Sequence, residues 1–460
     1  ARSCIEMTGI ETTNVTMFGN YVGVGADGIT SLDTSQYSNY VIRNEAVYID
    51  DNVASVNIGG TAAGQGNTIE RNTSGSIFAQ DSSDIEIYGN RLSYNGPSNA
   101  IQTSGITFRG VTDSVIGAEN GQNILGLQRN SVRIDDSLVT NNPSLNIIIQ
   151  DNLIGVDDDG VTAMENIEGI KVSGGSQEIS ILNNVIHNTS DALYIYDVSY
   201  PGIQVDGTAQ KVSILGNSIY NSSSEGIRLG GGGNFDDTLD ADEGPNGLLN
   251  SPGYTDIVET GGDTEVTFTA DIPAGDYRIE FFENTVADPD YPGEGETFIG
   301  FANITSSGTG LEEFFTTLSG DGYTNIALTA TERNVATDTG FGATSQFGDV
   351  GVPYVPTSDL SVSMDMANPE DVGVIGQAVN YTIGVTNNGP NAFDLSGLNQ
   401  ADLSQNFLFA VALPTQLSYD SVSGTDITCT NAGSGSGIGT LFANHQDYQI
   451  VVCAHNGAST

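Results

Sequence analysis

The sequence predicts an all-β protein: a right-handed parallel β-helix over residues 1–252, then two β-sandwiches over 253–352 and 357–460, joined by a short stiff linker at 353–356. Three observations predict this. A strand–bend–strand unit recurs through the first half, as repeat architectures require. The repeat stops at Pro252 and longer alternating strands take over. Glycine is abundant, at 58 residues without a collagen period, which reads as turns.

The repeat is seen by aligning Asn14-Val-Thr-Met-Phe-Gly-Asn with Asp84-Ile-Glu-Ile-Tyr-Gly-Asn, Asn146-Ile-Ile-Ile-Gln-Asp-Asn, Glu178-Ile-Ser-Ile-Leu-Asn-Asn and Lys211-Val-Ser-Ile-Leu-Gly-Asn. Each unit has a short β-branched strand, a tight bend ending in asparagine, and a second short strand. Strands this short do not make a stable sandwich unaided. Stacked in parallel, one coil per repeat, they bury a continuous Ile/Val/Leu column, and the bend asparagines Asn20, Asn90, Asn152, Asn184 and Asn217 fall into a hydrogen-bonded ladder. The gaps between Asn20, Asn90 and Asn152 are about twice the later ones, so intermediate bends are expected there in degenerate form.

Beyond Pro252, Thr264–Ala270, Tyr277–Phe282, Thr297–Ala302 and Asn325–Thr331 alternate with period 2 between acidic turns, the pattern of an antiparallel sandwich. Val352-Pro-Tyr-Val-Pro is an extended linker. Asp359–Met364 and Val379–Pro390 read as two further strands and a turn.

The chain has 12 basic against 58 acidic residues and a net charge of −46. That field repels nucleic acid and anionic membrane, so neither is an expected partner. It suits a soluble extracellular coat, salty surroundings, or calcium ligation. The candidate calcium ligands are Asp236, Asp237, Asp240, Asp242 and Glu243, and more weakly Asp157, Asp158 and Asp159. Neither run has the glycine spacing or terminal bidentate acid of an EF-hand loop. No run is long and apolar enough for a membrane-spanning helix. The first residue is Ala1, as expected of a mature or excised piece.

Cys429 and Cys453 lie in one β-rich segment and are expected to form a disulfide in an oxidising compartment, which places the protein outside the cell. Cys4 is left over and is expected to be a buried thiol, or else an intermolecular link. Asn14, Asn72, Asn188, Asn221, Asn303 and Asn380 open Asn-x-Ser/Thr triplets, which matter in an organism that N-glycosylates its surface proteins.

These motifs carry a resemblance. The coils resemble those of pectin-lyase-like β-helices, and in particular large bacterial and archaeal surface proteins. Asn152–Gly160 and Asn20–Gly28 match the N-x-I-G-x-D-x-x-G insertion of those proteins, and Asp240–Pro252 matches their D-A-D-x-G-P-N-G-L closing stretch. Tyr277–Asn284, Gly293–Gly300 and Thr344–Phe347 are similar to the module that follows. Tyr381–Pro390 resembles the Y-T-I-x-V-x-N-x-G-P hallmark of an immunoglobulin-like "conserved repeat domain", which Leu413–Tyr419 and the cysteine pair also fit. Two departures stand out: a longer stretch at 391–411, and no counterpart of that domain's last strand before Thr460. An incomplete sandwich would leave an edge for a neighbouring subunit to fill by strand addition.

The resemblance implies a secreted structural protein, self-assembling into a surface fibre, filament or sheath. The alternatives are an adhesin and a polysaccharide-binding or polysaccharide-cleaving β-helix with surface glycans as partners. Catalysis is not expected. The carboxylate and G-H-G marks of β-helical hydrolases are not assembled, His187 lacks that context, and Lys171 and Lys211 are isolated in strands.

Overall fold

In the computed structural model the chain is all-β, with no α-helix among the described residues. The structure describes residues 3–25, 45–70, 75–93, 104–189, 200–231, 236–286, 293–334, 340–348, 351, 360–366, 381–387, 409–414, 427–431 and 448–455. The chain divides into two compact units, Ala1–Tyr354 and Val355–Thr460.

The first unit begins with a parallel β-helix. Each of seven coils gives one strand to each of three parallel sheets, and an eighth adds a strand to the first sheet alone. The first wall has eight strands, from Ile5–Thr8 to Ile227–Leu229. The second has seven, from Thr13–Met17 to Gln210–Leu215, and the third seven, from Tyr21–Val22 to Ser218–Ser222. Register stacks like on like: Ile147, Ile179 and Val212 follow one another, as do Ile149, Ile181 and Ile214. These side chains are buried and belong to one core running the length of the stack. At ~4.8 Å per coil, eight first-wall strands make a rod about 35 Å long.

The bends repeat as strictly as the strands. In all seven second-wall strands the residue near the start has a left-handed backbone: Asn14, Ser55, Asp84, Asp113, Asn146, Glu178 and Lys211, with φ between 53° and 58°. Non-glycine residues adopt this conformation at a cost. The side chains at these positions pair outward across adjacent coils, Ser55 with Asp84, Asn146 with Asp113, and Lys211 with Glu178.

The closing stretch does what a terminal coil needs. Pro245–Leu248 makes a short 3-10 turn, and Asn246 exchanges hydrogen bonds of 2.8 Å with both the N–H and the C=O of Val212. A single side-chain amide thus stands where the next strand would be.

After Pro252 the sheets become antiparallel. One has three strands (Gly253–Glu259, Asp263–Ala270, Glu312–Ser319). The other has four, in the order Thr297–Ser306, Gly275–Glu283, Ile326–Asn334, Gly340–Thr344. Phe268 and Phe281 meet edge to face between them at 5.6 Å. Four of these strands are legible from alternation. The other three are not, because 253–259 and 312–319 are half-exposed edge strands and 340–344 is rich in glycine.

The second unit contains an antiparallel pair, Leu360–Met366 with Tyr381–Asn387, and a three-stranded sheet in which Tyr448–His455 lies between Phe409–Pro414 and Ile427–Asn431.

Candidate functional site

The five bend asparagines lie in one column, and the structure adds two rungs, Asn67 and Asn123. At each central rung the backbone N–H and Nδ2 of one asparagine donate to Oδ1 of the next. Asn90 does so to Asn123 at 3.0 and 3.0 Å, and Asn184 to Asn217 at 2.9 and 2.9 Å. Each Nδ2 also donates to a carbonyl of the preceding coil, as Asn123 does to Ile87 and Asn184 to Ile149. The expected degeneracy lies elsewhere than in the asparagine. Residues 60–66 and 118–122 are inserted between the second-wall strand and the bend, which separates Asn67 and Asn123 from the strand motif that marks the other rungs.

The last coil is sealed by the antiparallel module. The amide of Ile214 donates to Thr344 Oγ1 at 2.8 Å, and that of Gly216 to Glu280 Oε2 at 2.8 Å. Ile219 exchanges backbone bonds of 2.7 and 2.9 Å with Gly295, and the amides of Asn221 and Ser222 each donate to Glu294. Gln346 Nε2 donates to the Ile227 carbonyl, and Phe282, Ala327 and Phe347 join the core of the stack. Glu280 is fully buried beside Arg278 at 2.8 Å. Burial holds its carboxyl above the usual range, against the pull of the Gly216 amide and Arg278.

The outward face of the first wall is a second feature, which alternation alone does not single out. Register places Thr107, Arg133, Lys171, Gln204 and Arg228 in one column, with Arg109 and Asp135 paired in the next. Four of the chain's 12 basic residues stand there. Arg133 pairs with Asp135 at 2.7 Å, Lys171 with Asp206 at 3.3 Å, and Arg228 with Glu225 at 2.5 Å. Despite burial, Arg133 and the Asp136 amide hold Asp135 below the usual carboxylate range. Glu168, 4% exposed, accepts from Asn130 but leaves Oε1 without a hydrogen-bond partner among the described residues, as are Arg109 Nε and Arg133 Nε. Burial raises the Glu168 carboxyl. Tyr48 and Phe78 stack farther along this wall at 5.3 Å. The signal in the sequence is a basic or amide residue at one register place of successive first-wall strands: Arg133, Lys171, Gln204 and Arg228.

The acidic runs are not brought together as ligand sets. Asp157 pairs with Arg91, and Asp159 accepts from Val161 and Thr162 within its own turn, which lowers both carboxyls. Asp158 is exposed. Asp236 accepts from Ser251, Asp237 from Ala241, and Asp240 from Asn250. Glu243 is exposed on the rim of an open cavity of about 420 Å³ that Asp242 also lines. Among the described residues no group of three or more acidic, histidine or cysteine side chains is arranged to hold a metal ion. Asp159, Asp236, Asp237 and Asp240 are spent on nearby backbone amides, whereas Asp242 Oδ1 has no hydrogen-bond partner among the described residues.

The loop around Asp240 is strained by its own charge. Burial first, then Asp242, Asp237 and Asp236, push Asp240 up to about 6, although the Asn250 amide pulls the other way. A raised carboxyl stabilises the fold fully below its unfolded pKa, and that contribution is lost as pH rises through about 6. Asp240→Asn, which keeps an acceptor for Asn250, is therefore expected to raise the melting midpoint at pH 7 and to leave it unchanged at pH 4. Millimolar calcium is expected to give no rise in the wild type at pH 7. A rise of several degrees would reassign the loop as a cation site.

Cys4 is an exposed free thiol, not the buried one expected. His187 lies in a third-wall strand, 8% exposed, and stacks on Tyr220 at 3.9 Å. Lys171 and Lys211 are both paired. Of the glycosylation triplets, Asn14 and Asn303 are exposed, and the amide of the exposed Asn221 faces His187 Nε2. Asn188 falls in the third-wall strand Val185–Thr189, whereas Asn72 and Asn380 lie outside the described residues. Cys429 and Cys453 are partners in register across two antiparallel strands.

Fold and site together define an all-β protein built on a parallel β-helix with a sealed end. No protein-family model matches the chain. No curated protein matches it. Among solved structures it is similar to full-length tailspike protein 2 from an Escherichia coli O157:H7 bacteriophage, at 12% identity and a TM-score of 0.22. The match covers 66% of this chain and 51% of that one, so the chain spans about half the length of the tailspike.

Proposed function

We propose that the protein is a secreted structural component of the cell surface, a rigid β-helical rod whose copies join into a fibre, filament or sheath. The observation that carries this reading is the sealed last coil. Its edge amides are taken by Asn246, Thr344, Glu280, Gly295 and Glu294, so another coil stack cannot add there by strand pairing. Growth into a longer object then needs a different contact. The Val355–Thr460 unit supplies one, because the apolar strand Phe409–Pro414 has a backbone partner on only one side among the described residues. Such an edge is a template for strand addition by a second copy.

The test is sedimentation of the purified chain over a wide concentration range, with electron microscopy of the same samples. Assemblies with a fixed axial repeat are expected. A Val411→Pro chain, which removes one strand donor, is expected to stay monomeric while its first unit melts as in the wild type. A wild type that stays monomeric at the highest concentration overturns the reading.

The first-wall face favours a second reading, surface-glycan binding. The part-exposed cations Arg133, Lys171 and Arg228, held in register on that face, suit the acceptor oxygens of hydroxyl groups. Binding on a glycan array that Arg133→Ala abolishes would support it.

A further inference from the structure

We propose that Cys429 and Cys453 are joined by a disulfide that staples the Val355–Thr460 unit. The carrying observation is register. Cys429 on Ile427–Asn431 stands directly opposite Cys453 on Tyr448–His455, and Cys453 is in turn the register partner of Phe409 on the edge strand. Directly opposed residues of an antiparallel pair have Cα atoms ~4.5–5.5 Å apart, within the ~4.4–6.8 Å that a disulfide spans. A slip of one residue would put the two cysteines on opposite faces of the sheet. The chain has 3 cysteines, and the third, Cys4, is an exposed free thiol of the other unit. The sequence leads to the same pair as an expectation, and register adds that the two cysteines stand directly opposite each other.

The bond forms by exchange with an external disulfide. The two thiols lose two protons and two electrons, a sulfur–sulfur bond joins them, and the external disulfide is reduced to two thiols. The consequence is regional. Closure of the loop between 429 and 453 restricts the unfolded state of the second unit only. The unit that carries the apolar edge strand would then be fully formed only under oxidising conditions, which makes any contact through that strand dependent on the compartment. His455, two residues from Cys453, shares its sheet face, so zinc held by two thiolates and an imidazole is the competing chemistry.

The test uses the whole chain, purified without reductant, incubated with oxidised glutathione and then denatured for thiol counting. One reactive thiol per chain is expected, on Cys4, with an intact mass two hydrogens below that of the reduced chain. Cys429→Ser and Cys453→Ser are each expected to show two reactive thiols and a lower midpoint for the second unit alone. Three thiols in the oxidised wild type overturn the proposal, as does a peptide map linking Cys4 to either partner. Stoichiometric zinc whose removal by chelator frees three thiols also overturns it. None of these readings depends on self-assembly, so a failed disulfide and a failed fibre are told apart.

Discussion

Glu280→Ala is expected to destabilise the Ala1–Tyr354 unit by about 3 kcal/mol, with the last coil loosening first. Glu280 is the buried tie between the β-helix and the module that closes it. One oxygen accepts the Gly216 amide at 2.8 Å, and the other takes Nε of Arg278 at 2.9 Å. Truncation removes an acceptor from a backbone amide that no neighbouring strand can serve. It also leaves a guanidinium, 23% exposed, stacked 3.8 Å over Phe301 with its counter-charge gone. Breaking such a pair from one side costs more than the pair contributes, because the surviving charge stays desolvated. The measurement is denaturant unfolding together with hydrogen exchange at Ile214 and Gly216. Unchanged exchange at those two amides would mean that Glu280 does not hold the seal.

The second large effect belongs to the ladder, and position decides it. Asn184→Ala is expected to cost about 3–4 kcal/mol, and Asn20→Ala less than about 1 kcal/mol. Asn184 accepts from the backbone and side chain of Asn152, and donates to Asn217 and to the carbonyl of Ile149. Alanine would leave those groups buried without their partner. Asn20 is the exposed end rung, and its side chain donates to Asn67 and Phe18 without receiving a rung. Equal losses at the two sites would sink the idea that the ladder acts as a column, leaving seven separate turns.

Much of the first unit is legible in the sequence, because a solenoid repeats its physics. Ile, Val and Asn recur at fixed places in each coil, so a few clear units such as Glu178–Ile186 reveal the rest. What hid Asn67 and Asn123 was length, since inserted loops moved each bend away from its strand. The seal was only partly legible. Asp240–Pro252 marks where the coils end, but nothing local says that Glu280, Glu294 and Thr344 serve amides more than sixty residues earlier in the chain. The first-wall face was hidden for a similar reason. Arg133, Lys171 and Arg228 become neighbours only when register is known, and as single residues in strands they read as ordinary surface. In the acidic runs the sequence shows only clustered carboxylates, and not that Asp159, Asp236, Asp237 and Asp240 accept from nearby backbone amides.

The sealed end also sets an order in time. The groups that close the stack arrive late: Glu280, Glu294, Thr344 and Gln346 are made well after the coil that they cover. At ribosomal speeds of about 5–20 residues per second, the interval between Leu215 and Phe347 is on the order of ten seconds. For that long a nascent chain carries a finished row of strands with an open rim, the kind of surface on which neighbouring chains on one messenger stick together. Residues 1–215 carry 25 acidic against 9 basic residues, so every such intermediate has the same negative sign. The acidity then guards the newborn chain until its own lid is translated.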